Sequence, residues 1–229
     1  FAGWSTTADN KMRSDYMGLS VLILGDSGSG KTTSLRNFQP GEVAIINVAK
    51  KPLPFRTQLK PYNTNDYNAA KSAISAASKH GIKSIVLDDI QYLMTDEFMR
   101  RSSECGYSKF TDMAASYSSL FDLAPQLPDD CILYLMSHVE RDESGHETPR
   151  TVGKLVHEKL CVEGKTSITL HTYVESGKYY FRTHSSGEGD ISKSPLEMFE
   201  SDLIDNDLKA VDAVIREYYN FGGTNNAEV

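Results

Sequence analysis

Short apolar runs at residues 21–24, 43–46, 85–87 and 132–136 are separated by stretches in which apolar positions recur at helical spacing. Each run has the length and β-branched content of a strand buried on both faces, the pattern of a parallel sheet covered by helices. Strands alternating with helices predict an α/β layer architecture with a mainly parallel sheet. The clearest helix spans residues 66–80, capped by Asn65 or Asp66 and stopped by Gly81. Residues 96–125 predict one or two further helices, ended by Pro125 and Pro128.

Beyond Arg150 the pattern changes, because residues 167–174 and 178–183 alternate and are joined by Glu175-Ser176-Gly177. That pattern predicts an antiparallel hairpin. A Gly/Ser-rich loop at 185–194 follows, and the acidic run at 197–207 reads as a solvated loop and helix start before a last helix at about 208–219. Residues 1–17 are polar and aperiodic, predicting an arm, and residues 222–229 predict a frayed tail. One domain over residues 18–221 remains, a size that buries a substantial core.

Chemistry enters where the first strand ends, in Gly25-Asp26-Ser27-Gly28-Ser29-Gly30-Lys31-Thr32-Thr33 ahead of a predicted helix. Three glycines let successive backbone N–H groups turn inward around a phosphate, and the next helix adds its positive dipole end. Lys31 then supplies a point charge for β- and γ-phosphate oxygens, and Thr32 a hydroxyl for Mg2+. These residues predict a phosphate-binding loop for a nucleoside triphosphate.

Such a loop needs a metal-orienting carboxylate, and the run at 85–87 ends in Asp88-Asp89. Asp88 is the expected Mg2+ ligand, through water, and Asp89 the candidate to polarise an attacking water. The fourth run ends in Ser137-His138, placing a hydroxyl and an imidazole at the carboxyl edge of the sheet, where ligands of open parallel sheets bind. Either is a candidate γ-phosphate sensor, passing its signal to a charged, mobile loop at 140–149. His157 and Cys161 are spaced as metal ligands, but no second pair accompanies them, which argues against zinc.

The net charge of −7 argues against coating nucleic acid by bulk electrostatics and leaves room for a local basic groove. Two clusters are candidates for one: Lys50, Lys51, Arg56 and Lys60, and Arg100, Arg101 and Lys109 interleaved with Tyr107 and Phe110. Three cysteines imply no disulfide framework, and no apolar run reaches the length of a membrane span. A soluble cytoplasmic protein is the expectation.

With residues 25–33, the Asp-ending strand and the Ser-His-ending strand, the chain resembles the RecA/KaiC-like (ASCE) branch of the P-loop ATPases. Within that branch it is similar to the phage and prophage AAA-type ATP-binding proteins linked to single-strand annealing and recombination. The likeness extends over about residues 19–195, through Ile45-Ile46-Asn47-Val48 followed by Lys-Pro-Leu-Pro, Gly153-Lys154-Leu155 and Ser192-Lys193-Ser194. It implies a three-layer fold, Mg2+-dependent ATP binding at a subunit interface of a homo-oligomeric ring or filament, and single-stranded DNA as partner. It also implies that Lys193 reaches a neighbouring subunit's nucleotide. One departure matters: Ala49 stands where RecA-like enzymes carry a water-activating glutamate, so Asp89 takes that task or hydrolysis is slow and ATP acts as a switch. A small-molecule kinase is the alternative, disfavoured because only Arg141 and Arg150 are available for an arginine-rich lid.

Overall fold

The computed structural model describes residues 17–152, 162–187 and 189–221. Strands β1 (Leu19–Gly25), β2 (Val43–Asn47), β3 (Tyr62–Asn63), β4 (Ser84–Asp88), β5 (Ile132–Arg141), β6 (Glu147–Pro149), β7 (Ile168–Glu175), β8 (Lys178–Arg182) and β9 (Leu203–Asp205) form one sheet. Its order is β3-β2-β4-β5-β1-β7-β8-β9, with β6 paired to the outer end of β5. Neighbours from β3 to β7 run parallel, and β8, β9 and β6 join antiparallel. The fold is therefore α/β with a mostly parallel, mixed sheet.

Helices α1 (Tyr67–Lys79), α2 (Gln91–Arg100) and α3 (Ser108–Phe121) pack on one face, and α4 (Leu208–Tyr218) on the other. Strand alternation supplies both cores. Leu22 and Leu24 of β1 join Ile85, Leu87, Leu133 and Leu135 under α1–α3, while Val21 and Ile23 join Val86, Ile132, Tyr134 and Met136 under α4. Asp66 caps α1 by accepting the Ala69 N–H at 2.8 Å, and Asp207 caps α4 through the N–H groups of Lys209 and Ala210. A buried polar cluster ties α4 to the sheet: Asp212 accepts from Ser84 at 2.7 Å, from Tyr134 at 2.8 Å and from Arg216 at 2.6 Å.

Four expectations change. The segment after the glycine-rich loop is a six-residue 3-10 helix, Thr32–Asn37, because Phe38 turns extended and Pro40 has no N–H to continue it. Helix α2 begins at Gln91, close behind Asp89, so the carboxylate pair opens directly into a helix. The charged 140–149 segment is a hairpin: β5 continues to Arg141, and β6 pairs Glu147 opposite it, where the two side chains form an ion pair at 2.8 Å. The acidic 197–207 run contributes β9, which covers the edge of β8. The predicted arm up to residue 16, the Gly153-Lys154-Leu155 stretch, His157, Cys161 and the 222–229 tail lie outside the described residues. No described helix is long and apolar enough to cross a membrane.

Candidate functional site

At the carboxyl end of β1 the chain leaves the sheet through residues whose backbones admit nothing larger than a hydrogen. A Cβ on Gly25 would stand 1.7 Å from Thr172 Oγ1, so the loop and β7 touch there through the missing side chain. Gly30 has φ +104°, and its Cβ would meet Tyr179 Cδ1 at 2.9 Å and the Asn206 amide oxygen at 3.0 Å. Thr172 fixes this contact, its Oγ1 standing 3.1 Å from the Leu24 carbonyl and 2.5 Å from Ser29 Oγ, so that the two hydroxyl protons are shared among neighbouring acceptors. Ser29 also donates to the Asp26 carbonyl at 2.6 Å, closing the loop on itself.

Lys31 is 5% exposed, and its Nζ donates to the carbonyls of Gly25 at 2.8 Å and Asp26 at 2.9 Å. Burial pulls its pKa down, and the nearby carboxylates of Asp89, Asp88 and Asp26 oppose the shift without cancelling it. The ammonium is thus held at the centre of the loop by acceptors that a phosphate can replace.

Parallel pairing of β2 with β4, and of β4 with β5, brings Asp88 to the same sheet edge as the loop. Thr32 Oγ1 donates to Asp88 Oδ2 at 2.7 Å. Asp88 is 3% exposed, and its other oxygen, Oδ1, has no hydrogen-bond partner among the described residues. Burial, with the Asp89 charge second, pushes its pKa up to about 6, against the opposing Thr32 bond and Lys31 charge.

Asp89 is 9% exposed and sits at φ +61°, a backbone that costs a non-glycine residue about 1–3 kcal/mol and aims its carboxylate into the cleft. His138 Nε2 lies 3.3 Å from Asp89 Oδ1, and Gln91 Nε2 donates to the same oxygen at 3.2 Å. Gln91 Oε1 in turn accepts the His138 backbone N–H at 3.2 Å, so two linked residues brace one carboxylate. Burial alone would raise the pKa of Asp89, but the bonds from His138 and Gln91, with the charges of His138 and Lys31, hold it below the usual carboxylate range. Asp89 is a charged acceptor at neutral pH.

A cleft of about 200 Å³ joins these groups, lined by Ser27, Gly28, Gly30, Lys31, Thr32 and Thr33 on the loop side and by Asp88, Asp89 and His138 opposite. Asn47 and the run Lys51, Pro52, Leu53 and Pro54 complete the wall past β2; Lys51 also lies over the Tyr92 ring at 5.4 Å. Ala49, between them, does not reach it. Ser137 is fully buried and lies outside the wall, donating to the His138 carbonyl at 3.1 Å, since neighbouring strand residues face opposite sides of a sheet. Asp26 points outward to Arg141, whose Nη1 is 3.2 Å from its carboxylate. Lys193 donates to the Glu163 carbonyl at 2.8 Å and is engaged within its own chain.

Among the described residues no group of three or more His, Cys, Asp or Glu side chains is placed to hold a metal. Mg2+ needs less, because it retains waters and takes one or two protein oxygens together with phosphate. Asp88, with one orphaned buried oxygen beside the Thr32 hydroxyl, fits such an ion. The basic clusters separate. Arg101 is surrounded by Glu97, Glu104 and Asp112, and Lys109 is buried against main-chain carbonyls, whereas Lys50, Lys51, Arg56 and Lys60 are exposed and Lys51 lines the cleft.

Asn47 and Lys51, which the sequence singles out only within the 45–48 stretch and the basic cluster, also line the cleft. Gln91 and Thr172 belong to the site as well, and no sequence pattern singles them out; Gln91 stands two residues past Asp89, and Thr172 near no motif. No protein-family model matches the chain, and no curated protein matches it.

Proposed function

We propose that the chain is a RecA-like P-loop ATPase that binds Mg-ATP in the 25–33 loop and hydrolyses it. The observation that carries this reading is the Thr32–Asp88 hydrogen bond of 2.7 Å beside a lysine seated in the loop, with the second Asp88 oxygen buried and unpaired. A buried carboxylate left half-satisfied costs folding free energy, and a bound cation removes that cost. Thr32 and Asp88 would hold Mg2+, whose chemistry is to neutralise charge on the β- and γ-phosphate oxygens.

The other groups have distinct tasks. Backbone N–H groups of the cleft-lining loop residues Gly28, Gly30, Lys31 and Thr32 and the Lys31 ammonium would receive the phosphates, which replace the carbonyls that now hold Nζ. Asp89, ionised and braced by His138 and Gln91, orients the attacking water and accepts its proton late in the reaction. Its restrained carboxylate takes the place of the missing acid at position 49. His138 is the residue through which occupancy of the cleft reaches β5 and its hairpin. The resemblance to annealing and recombination proteins, with the exposed basic stretch from Lys50 to Lys60 flanking the cleft, supports single-stranded DNA as partner and assembly of several copies. Arg141, held by Asp26 and Glu147, does not form a kinase lid in this conformation.

Mg2+-dependent ATP hydrolysis, measured with and without single-stranded DNA at low salt, tests the proposal. Lys31→Ala should abolish nucleotide binding or turnover, and wild-type turnover in that variant would refute the site. A rate indifferent to DNA, with no DNA binding, would remove the DNA partner, and transfer of the γ-phosphate to a small molecule would make it a kinase.

A further inference from the structure

The wall of the cleft opposite the glycine-rich loop carries a cation, Lys51, that makes no ion pair with a carboxylate among the described residues. Its place is set by a built turn after β2. The buried Asn47 amide donates to the Lys51 carbonyl at 2.7 Å, and Lys50 takes φ +56°, a left-handed backbone that residues with a side chain seldom adopt. Pro52 and Pro54 stiffen the chain that follows. The ammonium belongs to the cleft: Lys51 lines it, and Nζ stands 5.4 Å from the centre of the Tyr92 ring, which meets the cleft residue His138 edge-on at 6.0 Å. Its charge also reaches Lys31, whose pKa is lowered first by burial and further by Lys51. Lys50, Arg56 and Lys60 do not line the cleft, so Lys51 stands apart from the rest of its basic stretch. Other nearby cations are committed, Arg141 to Asp26 and Glu147 and Lys193 to the Glu163 carbonyl. A ring face holds an exposed ammonium weakly, so Lys51 can exchange it for an anion.

We propose that Lys51 is a catalytic residue of this site, its ammonium leaving the Tyr92 ring to bind the γ-phosphate and stabilise the charge that hydrolysis moves onto it. The loop and Lys31 take the β-phosphate end, so the opposite wall of Asp89, His138 and Lys51 faces the terminal phosphate. The water oxygen bonds to Pγ as the bond from Pγ to the β–γ bridging oxygen breaks. That bond's electron pair stays on ADP and the water's proton passes to Asp89, giving ADP and inorganic phosphate. Lys51 keeps its own proton throughout and donates a charge-assisted hydrogen bond to a γ-oxygen. A cation from the same chain then does the work that the family likeness assigns to Lys193 of a neighbouring copy. This inference rests on the phosphate-loop reading and adds a residue to its chemistry.

The test uses the full chain without DNA, so that no nucleic-acid contact of the basic stretch enters. Lys51→Gln should lower kcat for Mg-ATP hydrolysis by about tenfold or more. It should weaken ADP–aluminium fluoride, a mimic of the transferring phosphoryl group, by a similar factor, while ADP alone binds within about twofold of wild type, which also shows that the loop is folded. Lys51→Arg keeps the charge and should recover part of both losses. Lys79→Gln removes an equal charge from the exposed end of α1 and should change neither. Where DNA-free turnover is too slow to measure, the ratio of mimic to ADP affinity decides. A Lys51→Gln variant with wild-type kcat and ratio, or with ADP and mimic weakened equally, overturns the assignment and leaves the phosphate loop standing. A wild type that binds neither ADP nor the mimic overturns both readings.

Discussion

Asp88→Asn removes a fully buried charge that the fold tolerates poorly. The Asp88 carboxyl is raised from 3.8 to about 6, chiefly by desolvation, so between those values the folded chain holds a proton that the unfolded chain releases. Stability therefore falls as pH rises through the window, and the full penalty is present above about pH 6. Two pKa units at about 1.4 kcal/mol each give about 3 kcal/mol. Asparagine keeps an acceptor for Thr32 and leaves an amide N–H₂ where Oδ1 is now unpaired, which costs about 1–3 kcal/mol. That cost does not depend on pH, so it cancels from the difference in slope. Urea unfolding between about pH 4 and pH 8 should show the wild type losing about 3 kcal/mol relative to Asp88→Asn, most of it below pH 7. Parallel stability curves would refute the reasoning, because they would mean that Asp88 is not charged against its surroundings.

On the proposed reading the same ionisation would govern Mg2+ binding, since a carboxylate must lose its proton to bind a cation. Mg2+-dependent nucleotide affinity should fall by up to about tenfold per unit as pH drops below about 6, and titration calorimetry in buffers of different ionisation enthalpy should detect proton release there. Asp89→Asn should leave nucleotide affinity within a few-fold of wild type and slow hydrolysis by about a hundredfold or more; an unchanged rate would shift water activation to another residue. Asp212→Ala leaves Tyr134, Ser84 and Arg216 without their shared acceptor and should cost about 3 kcal/mol in denaturant unfolding, with m unchanged. A loss under 1 kcal/mol would show that the cluster is not coupled to global unfolding.

The 21–24, 43–46, 85–87 and 132–136 runs each mark a strand of the sheet, and helix α1 lies within a residue of its expected ends. These elements were legible because burial on both faces, caps and stop signals act within a few residues along the chain. The 140–149 and 197–207 segments were not, because β6 and β9 are three-residue strands whose charged residues hide any alternation. Their strand character comes from the partners they meet, Arg141 and the β8 edge, rather than from their own composition.

Within the site the division follows the same physics. The order Gly-x4-Gly-Lys-Thr and an apolar strand ending in two acids set local backbone shape and charge, and those determined the loop, the lysine and the carboxylates from sequence alone. Tertiary structure decided which of Ser137 and His138 faces the cleft, since strand register and not residue type selects the side. It also decided that Thr172 would bind Ser29 across 143 residues, that Gln91 would brace Asp89, and that Asn206 would pack against Gly30. Such contacts depend on the positions of strands brought together only when the whole sheet closes, and no local pattern in the chain encodes them.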